Sequence, residues 1–189
     1  MKGFILATIL TQLESEFEQK LTATLKTGLP EGRLSDVYLS TEDYPDNSLD
    51  YMIADIAKIL SMEKSTLAKI VGVYLFSDLM VINPAWIQQC NSSYEAIKTH
   101  DAALNNITKT NMPGFIPPSF VATEISRDVL QVTYRSTFLP WDVAEGLIVA
   151  ISNYYHEHLH IERLIPEPPV DFNMTFFLRR KTGMPISAG

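Results

Sequence analysis

The segment MPGFIPPSF, residues 112–120, carries three prolines and a glycine and separates two regions of different hydrophobic period. Before it, apolar residues recur every three or four positions; after it, they alternate. A helix buries one stripe by the first pattern and a strand buries one face by the second, so the chain must change from helix-forming to sheet-forming here.

On the helical side, Phe4, Ile5, Ile9, Leu10, Leu13, Phe17, Leu21 and Leu25 predict a first helix over 4–27, ended by Gly28 and Pro30. YPDNSL supplies a Pro-Asp turn, with Asp46 or Ser48 as cap, before a second helix through Ile53, Ile56, Ala57 and Leu60. Ser61 is the expected cap of a third, MEKSTLAKIVGVYLFSDLM, with Glu63 in the first turn where the helix dipole favours a negative charge. Pro84 interrupts, and a further helix is expected over about 93–109 on the stripe Tyr94, Ile97, Leu104 and Ile107.

On the sheet side, SFVATEIS and VLQVTYRS alternate around a polar turn at Arg127 and Asp128, the pattern of a hairpin. A helix follows in WDVAEGLIVAISNYYHEH, and LHIERLIPEPPVDFNMTFFLRR reads as two more strands around PEPP. The expected class is α+β: a helical N-terminal part and a C-terminal four-stranded antiparallel sheet with a packed helix. A single domain over 1–182 is expected, helical to about residue 65, with the pocket and sheet part from about 66 and a loose tail at 183–189.

Charge and cysteine usage narrow the function. With 22 acidic against 15 basic residues the net charge is -7, and the basic residues are scattered, which gives no footprint for nucleic acid or an anionic membrane. The opening MKGFILATILTQLESEFEQK is interrupted by polar residues and reads as a core helix rather than a leader, and no other apolar run is expected to cross a bilayer. The single cysteine, Cys90, rules out an internal disulfide and a Cys-rich metal site, which fits a reduced, cytoplasmic setting. Neither G-x-S-x-G, a P-loop nor H-E-x-x-H occurs, so the chain is not expected to be an enzyme.

The strings MKGFI, YPDNSL, GVYLF, MPGFIPPSF and YRSTF followed by EGLI, in this order and nearly without gaps, resemble the H-NOX family, heme-binding sensor domains for nitric oxide and oxygen. The resemblance spans essentially the whole chain. It implies heme b, a histidine ligand on the helix before the proline motif, and a Tyr-x-Ser-x-Arg motif for the propionates. It also implies a separate signalling partner, such as a histidine kinase or a cyclic-di-nucleotide enzyme.

Counting back from Pro117 and Pro118 puts the ligand position at Asn105, whose carboxamide is a poor ligand for heme iron. Tyr134 and Ser136 keep the second motif, but its arginine position is Phe138, which has no donor for a carboxylate. The two departures together predict a sensory or regulatory domain whose heme binding is weak or lost, its pocket filled by side chains or by a small apolar ligand. The alternative is a heme gas sensor ligated through His100. At 100° per residue, His100 lies about 60° to one side of the Ile97 and Leu104 stripe and Asn105 about 80° to the other, so one pocket takes only one of them. A solvent-facing or capping role is the simpler expectation for His100. HEHLH offers His156, His158 and His160 as a weak metal alternative, completed by Glu157, Glu162 or another chain, and Cys90 is a further candidate thiolate ligand. Trp86, Tyr74, Phe76, Phe4 and Phe115 are expected in the core.

Overall fold

A computed structural model describes residues 1–18, 21, 38–111, 115–165 and 173–180. The end of the predicted first helix with its Gly28 and Pro30 stop, the PEPP turn and the tail at 183–189 lie outside the described residues.

The helical part begins with α1 (Gly3–Glu16), which buries Leu6, Ile9, Leu10 and Leu13 at helical spacing. Helix α2 (Ser48–Leu60) buries Leu49, Met52, Ile53, Ile56, Ala57 and Leu60. Ser61 does not cap the next helix as expected: it ends α2 in the left-handed conformation (φ 54), and its N–H, with that of Met62, closes onto the last carbonyls of α2. The long α3 (Lys64–Ile82) starts after Glu63, and the short α4 (Pro84–Gln88) opens on Pro84, whose missing N–H costs nothing at a first helical position. Helix α5 (Ser93–Asn111) completes this part.

The hairpin forms as predicted from β1 (Ser119–Ser126) and β2 (Val129–Arg135), then come α6 (Trp141–Tyr154), β3 (Leu159–Leu164) and β4 (Asn173–Arg180). Sheet order is β1-β2-β4-β3 with every neighbouring pair antiparallel. One face buries Phe120, Leu130, Val132, Tyr134, Met174, Phe176 and Leu178, while Val121 and Ile125 on the other are exposed, so the alternation read in the sequence is a half-buried sheet.

Three devices hold the two parts together. Helices α3 and α6 make the closest helix contact, with Gly72 against Gly146. Beside that crossing, Glu145 is buried and takes Lys69 of α3 (2.7 Å) and Arg163 of β3 (2.5 Å from Nε), while Arg163 also reaches Asp142 (3.1 Å) and stacks on Trp141. Helix α5 lies along β1, and the buried Tyr94 hydroxyl sits 2.6 Å from the Leu178 carbonyl and 2.9 Å from that of Asp128. By length and hydropathy α3 is the one helix among the described residues that could cross a bilayer, contrary to expectation, but it packs on α1, α2 and α6 as a core helix.

Candidate functional site

A cavity of about 350 Å³ lies between two walls. One wall is built by α1 and α3, which pack on each other, and the other by α5 with β1; α6 adds Leu147. Apolar side chains dominate, from Phe4 and Ile5 on α1 and Leu75 and Leu79 on α3 to Leu104 and Ile107 on α5. The polar exceptions are Thr8, Asp78, His100 and Thr108. Thr108 donates to the Leu104 carbonyl in its own helix (3.0 Å), and Asp78 accepts from Gln12 (2.8 Å). At the C-terminal end of α3 the lining residue Val81 is 82% exposed, so the cavity opens to solvent there.

His100 is the unusual member. The expectation of a solvent-facing or capping histidine is overturned, because the residue is 2% exposed and lines the cavity. The Phe120 ring lies 4.6 Å away and the Trp86 indole 5.6 Å, held in turn by its own bond to Thr99. Neither ring nitrogen has a hydrogen-bond partner, and Asp101 Oδ1 stands 3.5 Å from Nδ1. A buried imidazole with both nitrogens unpaired costs on the order of 1–3 kcal/mol, an arrangement that a ligand or metal would relieve.

Asn105, at the position counted from the prolines, is exposed and absent from the cavity wall. Five residues along a helix is about 140° of rotation, so the packing that turns His100 inward turns Asn105 outward. Phe138 does line the cavity, 4% exposed and 5.6 Å from the Phe115 ring. Tyr134 and Ser136 serve the loop between β2 and α6: the Tyr134 hydroxyl donates to the Leu139 carbonyl (2.5 Å), and Ser136 Oγ accepts from the N–H groups of Phe138 (3.2 Å) and Leu139 (2.9 Å). Burial pushes the Tyr134 hydroxyl well above the ordinary phenol range, which keeps it a donor. Pro117 is half-buried beside the lining residue Pro118.

The remaining candidates lie elsewhere. His156, with φ 55, follows α6; His156, His158 and His160 are exposed, and among the described residues no cluster of His, Cys, Asp or Glu can hold a metal. Cys90 is bonded to the Trp86 carbonyl (3.3 Å) and lies 3.4 Å from Thr99, outside the cavity. Trp86 and Phe76 are buried core residues as expected, Tyr74 is partly buried against the core, and Phe4 and Phe115 line the cavity.

Sequence reasoning missed Thr8 and Asp78. Asp78 left a signal, since it is the lone acid in the apolar run GVYLFSDLM. Burial raises its carboxyl above the usual range, partly offset by the bond from Gln12. A raised carboxyl gives stability that is present at low pH and lost as pH rises through the folded value. Asp78→Asn should therefore raise the thermal midpoint at neutral pH, with the gain vanishing below about pH 4, where the unfolded carboxyl is also protonated. Melting curves at the two pH values check this.

For heme, the fit is divided. A buried unpaired imidazole facing an apolar cavity is what an axial ligand needs. Among the described residues no carboxylate clamp is present, because those that line the cavity include neither Lys nor Arg and carry one carboxylate, Asp78.

No curated protein sequence matches the chain. Among solved structures it is similar to the Fe(II) unliganded H-NOX protein from K. algicida, with TM-score 0.77 and 17% identity over 97% of this chain and 98% of that one. The S. oneidensis H-NOX protein in the Fe(II)NO state gives TM-score 0.75 at 16% identity over 96% and 100%. The I5F mutant of T. Tengcongensis H-NOX gives 0.72 at 19% over 97% and 100%. At such identities the likeness shows the fold. The family model described as Haem-NO-binding matches residues 2–163, and with that match over most of its length the chain belongs to the haem-NO-binding, or H-NOX, family.

Proposed function

We propose that this chain is a heme-based gas-sensing domain in which His100, not the residue at position 105, holds the iron. The observation that supports it is the buried His100 imidazole with both nitrogens unpaired at the wall of an apolar cavity. When bound, heme supplies the metal that a diatomic gas such as nitric oxide or dioxygen coordinates. His100 would anchor the group, Trp86 and Phe120 hold the imidazole plane, and the apolar wall of α1 and α3 would limit access of water to it. No described lining residue supplies a cation for the heme carboxylates, so the His100 imidazole would be the main protein tether. The output is binding to a separate signalling protein, such as a histidine kinase or a cyclic-di-nucleotide enzyme, in keeping with the family resemblance.

A second reading follows from Phe138 packed on Phe115 and the absence of Lys and Arg among the described lining residues: a domain that has given up heme and holds a small apolar ligand. Titration with heme b separates the two. The first expects one tightly held heme with a Soret band, lost in His100→Ala, restored by added imidazole, and unchanged in Asn105→Ala and Cys90→Ala. A protein that takes up no heme, or a His100→Ala variant that keeps it fully, overturns the first reading and leaves the second.

A further inference from the structure

The neighbour of His100 is as informative as His100 itself. Successive side chains on a helix diverge by about 100° and do not ordinarily meet. Here Asp101 Oδ1 nevertheless stands 3.5 Å from His100 Nδ1. The carboxylate is turned that way by β1: Oδ1 accepts the Phe120 N–H (2.6 Å) and Oδ2 accepts the Ser119 hydroxyl (2.8 Å). Those bonds leave it little freedom to swing away from the imidazole.

We propose that Asp101 is the positioning residue of His100, holding the proton on Nδ1 and leaving the Nε2 lone pair for a metal. This rests on the reading of His100 as the heme ligand. An anionic acceptor beside one ring nitrogen selects the tautomer protonated there. At 3.5 Å the contact is too long for a hydrogen bond, but a ring displacement of about half an ångström closes it. Nε2 has no partner in the protein and is buried, so it is the nitrogen left free. A carboxylate on the far nitrogen makes the imidazole a stronger donor, which tightens the metal bond and favours the oxidised iron. Asp101 thereby also couples the ligand to the sheet, because the bonds that orient it come from the first residues of β1.

The test uses the full chain with Asp101→Asn, and Ser119→Ala as a control that removes one sheet bond without touching the imidazole partner. In heme-free protein at about pH 8.5, above the ordinary imidazole range, nitrogen shifts of His100 should show the Nδ1–H tautomer dominant. In Asp101→Asn they should show a mixture, with Ser119→Ala much closer to the parent, because the Phe120 N–H still holds Oδ1, the oxygen nearest the imidazole. In heme-loaded protein, Asp101→Asn should move the midpoint potential positive and speed heme transfer to apomyoglobin by about tenfold. Unchanged tautomer ratio and potential in Asp101→Asn would overturn the proposal, and so would equal shifts in Ser119→Ala, which would make Asp101 a structural strap. Failure of the parent protein to take up heme would sink the ligand reading, while the heme-free tautomer ratio would still decide whether Asp101 governs His100.

Discussion

Gly146→Ala should lower the stability of the domain by about 3 kcal/mol, a large share of what a domain of this size possesses. A Cβ on Gly146 would lie 2.1 Å from the Lys69 carbonyl oxygen and 2.7 Å from its carbonyl carbon and Cα. A Cβ on Gly72 would lie 2.1 Å from the Val143 carbonyl oxygen and 2.7 Å from the Leu147 nitrogen. All of these are backbone atoms, so no rotamer change relieves the overlap and the helices must part. Alanine gains up to about 1 kcal/mol of intrinsic helix preference over glycine, which is too little to offset the clash. Parting α3 from α6 would also strain the Lys69–Glu145 pair and move Leu75, Asp78 and Leu79 relative to Leu147 across the cavity. Denaturant unfolding measures the loss; a drop below about 1 kcal/mol would show that the two helices slide apart at little cost.

Phe138→Arg is the second large effect. Phe138 is packed against Phe115 at the cavity wall, so in heme-free protein the substitution removes a buried ring and places a guanidinium among described lining residues whose one carboxylate is Asp78. The expected loss is about 3 kcal/mol, from the lost ring and the partly desolvated charge together. With heme bound, the same arginine can pair with its carboxylates, so heme should recover much of that loss in Phe138→Arg by binding the folded state. Asn105→His should change neither stability nor heme content, because position 105 is exposed on the opposite side of α5. Unfolding curves with and without heme test both expectations. Heme gained through Asn105→His would mean that α5 rotates by more than a third of a turn.

Much of the fold was legible because it follows from local periodicity. The stripe of α5 and the alternation in β1, β2 and β4 recur at their sequence positions, and the two-residue turn at Arg127 and Asp128 sets the hairpin register. The cap at Ser61 was misread because a serine suits either end of a helix break, and the left-handed turn closing α2 depends on where α3 begins. The lone acid Asp78 was visible in the sequence, but that it faces the cavity was not.

The sequence by itself determined the order of elements, the half-buried sheet and the family pattern, with a phenylalanine at 138 four residues after Tyr134, since each is written in residue type and spacing. Only the tertiary structure decided which residue of α5 looks into the cavity. Counting from the prolines assumes that the connection to β1 preserves the phase of the helix, and a length change of a few residues shifts that phase by a large angle. The phase is set instead by packing: Tyr94 reaches the carbonyls of Asp128 and Leu178, and Asp101 is bonded to Ser119 and Phe120. These contacts between residues distant in sequence pin the rotation of α5, turning His100 to the cavity and Asn105 to solvent.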